Sequence, residues 1–180
     1  MKSRVRVVAI IVAVVVGALA VVLAINVGRD PRADADRSRL LGRDVPAFDL
    51  PLLNGDRASS EGLAGKTIVI NFWNSWCIPC RQEHQALVDW WSANKDDSGV
   101  TMLGIVREDT KSATQTYVEA EGVTWPIAMD PGSKAALAFG TRGQPETYVI
   151  SPSGVVVASQ YGPVTVGNIN EMVGAARRVG

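Results

Sequence analysis

Thr67–Trp73 (TIVINFW) is an almost unbroken run of apolar, largely β-branched residues, and four positions beyond it the chain reads C-I-P-C, Cys77 to Cys80. A run with so little polar alternation predicts a central strand buried on both faces, which needs cover above and below. The residues that follow, 80–93, place Leu87, Val88 and Trp91 on one face of a helix. A buried strand therefore discharges directly into a helix whose first turn carries both cysteines of the chain. Because there are only two, a multi-disulfide secreted scaffold is excluded.

The same reading continues along the chain. Residues 45–53 predict a short edge strand, since Pro46 and Pro51 argue against a central one, and Asn54-Gly55-Asp56 supplies a turn. Val100–Val106 is a second buried strand. Asp109 or Thr110 caps a helix reaching about Glu121, where Gly122 stops it. Ser133–Phe139 reads as a shorter helix. Thr147–Ile150 and Val155–Gln160 read as a hairpin about Ser151-Pro152-Ser153-Gly154. Val166, Ile169, Met172, Val173, Ala176 and Val179 mark a C-terminal amphipathic helix. The sum is an α/β layer sandwich with a mixed sheet, expected over residues 45–180.

The N-terminal part is of another kind. Residues 7–25 are 19 consecutive positions without a polar side chain, preceded by Lys2, Arg4 and Arg6. At about 1.5 Å per residue this matches a hydrocarbon core of roughly 30 Å, so residues 1–27 are expected to form a single-pass anchor with its N-terminus in the cytoplasm. A cleaved signal peptide is the alternative, but its apolar stretch is usually shorter, about 7–15 residues. Residues 28–44 are charged and lack apolar periodicity, and are expected to be a solvated tether. Residues 1–39 carry seven basic and three acidic side chains, which leaves 11 basic against 15 acidic in the remainder. A mildly acidic domain without a basic run gives nucleic acid little to grip.

The position of the cysteines points to redox chemistry. A thiol at a helix N-terminus faces unsatisfied backbone N–H groups and the positive end of the helix dipole, both of which favour thiolate. Cys77 is thus expected to be the attacking sulfur, with Cys80, one turn inside, the resolving one. A structural role is a poor match, because a bridge across two residues barely constrains the unfolded chain. Zinc would need two further ligands, and His84 is the only histidine, so no metal or other cofactor is expected.

Residues 69–84 (V-I-N-F-W-N-S-W-C-I-P-C-R-Q-E-H) and 140–150 (G-T-R-G-Q-P-E-T-Y-V-I), with the entry segment Phe48 to Gly55, resemble the membrane-anchored thioredoxin-like proteins of bacteria, the TlpA/ResA/DsbE (CcmG) family. The resemblance implies a thioredoxin-like three-layer sandwich behind one transmembrane helix, held at the bacterial cell membrane with the catalytic domain outside the cytoplasm. It implies that Pro145 is the cis-proline lying against the disulfide and offering a backbone edge to substrate. It implies that Glu83 manages protons beside the catalytic pair Cys77 and Cys80, and that Glu146 joins Pro145 at the substrate-binding surface, which Trp76, next to Cys77, is expected to help shape. His84 after Glu83 is similar to the subgroup acting in cytochrome c maturation, although at this helical spacing a histidine is more often simply packed. Asn71 departs from thioredoxin, which has a buried acid there; an amide cannot shuttle a proton, which leaves Glu83 as the candidate.

The function this implies is an extracytoplasmic thiol–disulfide oxidoreductase that reduces apocytochrome c and is re-reduced by a membrane thiol–disulfide electron donor. A disulfide oxidase for secreted proteins is the alternative. A peroxidase is disfavoured because Asn74 stands three residues before Cys77, where such enzymes keep Thr or Ser. A non-catalytic redox-sensing module is the fourth possibility.

Overall fold

A computed structural model describes residues 38–179 together with Val12, residues 14–19 and Val21. Most of the expected anchor and most of the expected tether lie outside the described residues. Val12, 14–19 and Val21 are helical and exposed, and among the described residues no helix is long and apolar enough to cross a membrane. The chain divides into a unit of residues 1–36 and a unit of residues 37–180.

The second unit is built on a five-stranded mixed sheet. Its strands are β3 (Thr67–Trp73), β4 (Val100–Val106), β5 (Ile127–Met129), β6 (Glu146–Ile150) and β7 (Val156–Tyr161), after a separate antiparallel hairpin of β1 (Asp49–Pro51) and β2 (Arg57–Ser59). The order across the sheet is β5-β4-β3-β6-β7, with β3, β4 and β5 parallel and β6 and β7 antiparallel additions. The helices are α1 (Ile78–Asn94), α2 (Lys111–Ala120), α3 (Lys134–Phe139, after a 3₁₀ turn at Pro131–Ser133) and α4 (Val166–Arg177).

Strand alternation sorts the core into two layers. Val69 and Trp73 of β3, Met102 and Val106 of β4 and Val149 of β6 pack with Leu87 and Trp90 of α1, Tyr117 of α2 and Ile169, Val173 and Ala176 of α4. Ile68, Ile70 and Phe72, with Leu103, Ile105, Tyr148 and Ile150, face the other way, onto Phe139 of α3, Leu50 of the hairpin and Phe48 just before it. The period of two therefore sends Asn71, which shares its parity with Val69 and Trp73, toward the layer that holds the cysteine helix.

The expected strands at 67–73 and 100–106 are found at those limits, and α2 has Thr110 as its N-cap, with the side chain accepting from the Ala113 N–H at 3.1 Å. On α1, Val88 and Trp91 pack against the same core as Leu87, and the fully buried aromatic is Trp90. Val179 lies beyond α4 and is exposed. Strands β2 and β5, each only three residues long, were not anticipated. Finally, the chain is hydrogen-bonded to the domain before position 45: Gly42 N–H donates to Val156 O at 2.8 Å, and Val156 N–H to Arg43 O at 2.9 Å.

Candidate active site

Residues Asn74 to Trp76 leave the top of β3 and Cys77 opens α1. Cys77 is the N-cap: its Sγ accepts from the Cys80 N–H at 3.1 Å, and Pro79 occupies the first turn, where a missing N–H is harmless. The two cysteines form a disulfide. In this state both are almost covered, at 4% and 5% exposure, so accessibility alone does not rank them. The apolar side chains flanking Cys77 are open: Trp76 is 57% exposed, and Ile78 is exposed as well. The Trp76 indole N–H donates to Glu108 O at 3.1 Å, which holds the ring in one orientation at the surface.

Glu83 lies one turn beyond Cys80 on the buried face of α1 and is 1% exposed. Its Oε1 accepts from Asn71 Nδ2 at 2.8 Å and its Oε2 from the Val164 N–H at 2.9 Å. The Asn71 amide also donates to Thr147 Oγ1 at 3.0 Å; Thr147 is its register partner on β6. Burial pushes the Glu83 carboxyl up to about 7, against the opposing pull of the Val164 and Asn71 donors. Asn71 thus holds the carboxylate in place rather than replacing it.

The Gln144–Pro145 peptide bond is cis. Because Glu146 pairs with Phe72, Pro145 stands at the end of the sheet from which Asn74 to Cys77 emerge. Glu146 itself is 1% exposed and faces the opposite layer from α1. Its Oε2 accepts from the Arg142 N–H at 2.9 Å and its Oε1 from Tyr148 Oη at 2.9 Å. The Glu146 carboxylate is thus taken up inside the fold, where it ties down the loop before Pro145. Burial, with the Glu146 carboxylate beside it, pushes the Tyr148 hydroxyl up.

His84 is packed, edge-on to Tyr117 at 5.6 Å, and its Nε2 lies 3.1 Å from Glu121 O. A carbonyl only accepts, so this nitrogen carries the proton. Asn71, Cys80, His84 and Tyr117 help line a cavity of about 10 Å³ behind the disulfide. Among the described residues no cluster of His, Cys, Asp and Glu is placed to hold a metal ion.

A profile of the AhpC/TSA family matches residues 41–159, the span that contains the disulfide, Glu83 and the cis-proline. The chain belongs to the AhpC/TSA family. Within this family's reach it is similar to the thiol:disulfide interchange protein HelX of Rhodobacter capsulatus, at 33% identity over 129 residues and 70% of each chain. It is also similar to the thiol-disulfide oxidoreductase ResA of Bacillus subtilis, at 30% identity over 130 residues and 72% of each chain. A crystal structure of a thiol:disulfide interchange protein of the thioredoxin family from Chlorobium tepidum superposes with a TM-score of 0.65 at 28% identity, covering 78% of this chain and 98% of that one. This AhpC/TSA-family chain is a thiol–disulfide oxidoreductase with a thioredoxin-like fold, and Cys77 and Cys80 stand close together in C-x-x-C spacing, joined as a disulfide.

Sequence reasoning missed several residues of this AhpC/TSA site. Thr147 and the Val164 N–H complete the Glu83 network, and Asp109 Oδ2 accepts from the Ser75 N–H at 2.7 Å, fixing the loop before Cys77. Alternation along β6 was the signal for Thr147; the others depend on tertiary packing.

Proposed function

We propose that this oxidoreductase reduces disulfides in proteins outside the cytoplasm, with the C-x-x-C-H segment of apocytochrome c as its substrate. The observation that carries this reading is the buried Glu83, one turn from Cys80 and titrating near 7. The likeness of residues 69–84 and 140–150 to the TlpA/ResA/DsbE (CcmG) proteins supports the choice of substrate.

In the reaction, the Cys77 thiolate attacks one sulfur of the substrate disulfide. That bond breaks, and the departing substrate sulfur takes up a proton. Cys80 then gives up its proton and attacks Cys77 Sγ, releasing the second substrate thiol and forming the Cys77–Cys80 disulfide. Two electrons pass to the substrate. A carboxylate titrating near neutral pH suits the acceptance of the Cys80 proton, since proton transfer is most efficient when the pKa lies near the working pH. Trp76 and the Pro145 edge flank the substrate chain, and Glu146 orders the loop that presents Pro145.

Residues 1–27 serve as the membrane anchor and the charged residues between them and Gly42 as the tether, which keeps the domain at the outer face of the cell membrane. There a membrane thiol–disulfide donor returns two electrons. Deleting the gene should lower c-type cytochromes, and small-molecule thiols added to the culture should restore them. Restoration by an oxidant instead would reverse the direction of electron flow, and unchanged cytochrome levels would reject the substrate.

A further inference from the structure

The loop after β4, residues Arg107 to Asp109, makes one hydrogen bond to each of the four residues before Cys77. Arg107 N–H donates to Trp73 O at 3.3 Å, Asn74 Nδ2 donates to Arg107 O at 3.4 Å, Ser75 N–H donates to Asp109 Oδ2 and Trp76 Nε1 donates to Glu108 O. Glu108, in the middle, has φ +53°, a left-handed conformation that a residue with a Cβ rarely adopts unless its surroundings hold it there. The loop is thus fitted to the segment that delivers the attacking cysteine.

The Arg107 side chain runs the other way. Its Nη1 donates to Thr141 Oγ1 at 3.1 Å, and Nη2 pairs with Glu108 Oε1 at 2.8 Å. The Arg107 side chain is largely covered while Glu108 is more than half exposed, so the charge-assisted bond to Thr141 is the one shielded from water. Thr141 starts the loop that leads to Pro145, four residues on, and it is anchored to the end of α3 by N–H and hydroxyl bonds to Ala136 O at 2.9 and 3.1 Å.

We propose that Arg107 is a positioning residue that sets the spacing between the cysteine loop and the cis-proline loop, and so the fit of an extended peptide across the disulfide. This rests on the reading that the Pro145 edge carries substrate. The guanidinium suits the task because its planar fork reaches two partners in fixed directions; an ammonium of equal charge is a single point. A short disulfide without a peptide backbone spans only the sulfurs and is indifferent to that spacing.

The test compares single-turnover reactions of the reduced enzyme with an oxidised C-x-x-C-H peptide and with 2-hydroxyethyl disulfide. Arg107→Lys and Thr141→Val should each lower the peptide rate relative to the small-disulfide rate by about tenfold, equivalent to about 1.4 kcal/mol. Thr141→Ser should restore the ratio, and the double variant should be no worse than either single one. Equal losses with both substrates, independent multiplying losses, or no loss would overturn the proposal. Should Arg107→Lys fail to fold, Thr141→Val carries the test with the guanidinium intact. A wild-type enzyme that fails to reduce the peptide would overturn the proposed function, and the positioning role with it.

Discussion

The side-chain amide of Asn71 donates to the Glu83 carboxylate across 2.8 Å, joining the middle of the central strand to the helix that begins at Cys77. Strand parity and helical spacing meet at this bond. Asn71 faces α1 because Val69 and Trp73 do, and Glu83 faces the strand because Cys80 and Leu87 do. The amide is uncharged, so it stabilises a carboxylate there without requiring a second buried charge.

Glu83 should make stability depend on pH. Its folded-state value is raised from 4.5 to about 7, so the folded protein holds the proton more tightly than the unfolded chain. This contribution is fully present below about pH 4.5 and is lost as pH rises through 7. Glu83→Gln cannot titrate. The stability difference, variant minus wild type, should therefore shift in favour of the variant by about 3 kcal/mol between pH 4.5 and pH 8, at 1.36 kcal/mol per unit. Denaturant unfolding across that range measures it, and a constant difference would contradict the assignment.

Cys77 should react as the nucleophile although it is as covered as Cys80 in the disulfide state. The distinction lies in its place at the helix N-terminus, where backbone N–H groups favour thiolate. Alkylation of the reduced enzyme at neutral pH, followed by peptide mapping, should label Cys77 much faster. Cys80→Ser should accumulate mixed disulfides with substrate. Equal labelling of the two sulfurs would refute the order of attack.

Glu146 should reveal itself through stability. Glu146→Ala removes the buried carboxylate that accepts from both the Tyr148 hydroxyl and the Arg142 N–H, at a cost of about 1–3 kcal/mol. Chemical denaturation should show that loss. A change below about 0.5 kcal/mol, of the size usual for surface substitutions, would return Glu146 to the substrate surface.

Trp76 should behave in the opposite way. It stands exposed beside Cys77 with its ring held by Glu108 O, so Trp76→Ala should weaken peptide binding by about 1–2 kcal/mol while leaving the fold nearly as stable. The KM for an oxidised peptide is the measurement. An unchanged KM with a lowered melting temperature would make the ring structural.

What the sequence revealed and what it hid have physical reasons. The strands at 67–73 and 100–106 were legible to the residue because continuous apolar runs have few other uses. Ile127–Met129 was not, being three residues between Pro126 and Pro131, and Arg57–Ser59 is a short edge with little apolar content. The cysteine pair could be read from its place between strand and helix, whereas Glu83 was singled out by the family resemblance of residues 69–84. The bond between Asn71 and Glu83 could not be read, since it needs β3 and α1 packed at a given height. The burial of Glu146 was not legible, because the strand was expected to begin at Thr147. Once Glu146 is included in β6, alternation turns it away from the cysteine layer and turns Thr147 toward it.

The reduction potential of the Cys77–Cys80 pair, equilibrated at pH 7 against glutathione or thioredoxin, tests the central claim most directly. A protein that reduces substrates needs its disulfide form to be the stable one, so the potential should be about −200 mV or lower, on a scale from about −270 mV for thioredoxin to about −120 mV for DsbA. A value near −120 mV would contradict the account and make the enzyme an oxidase.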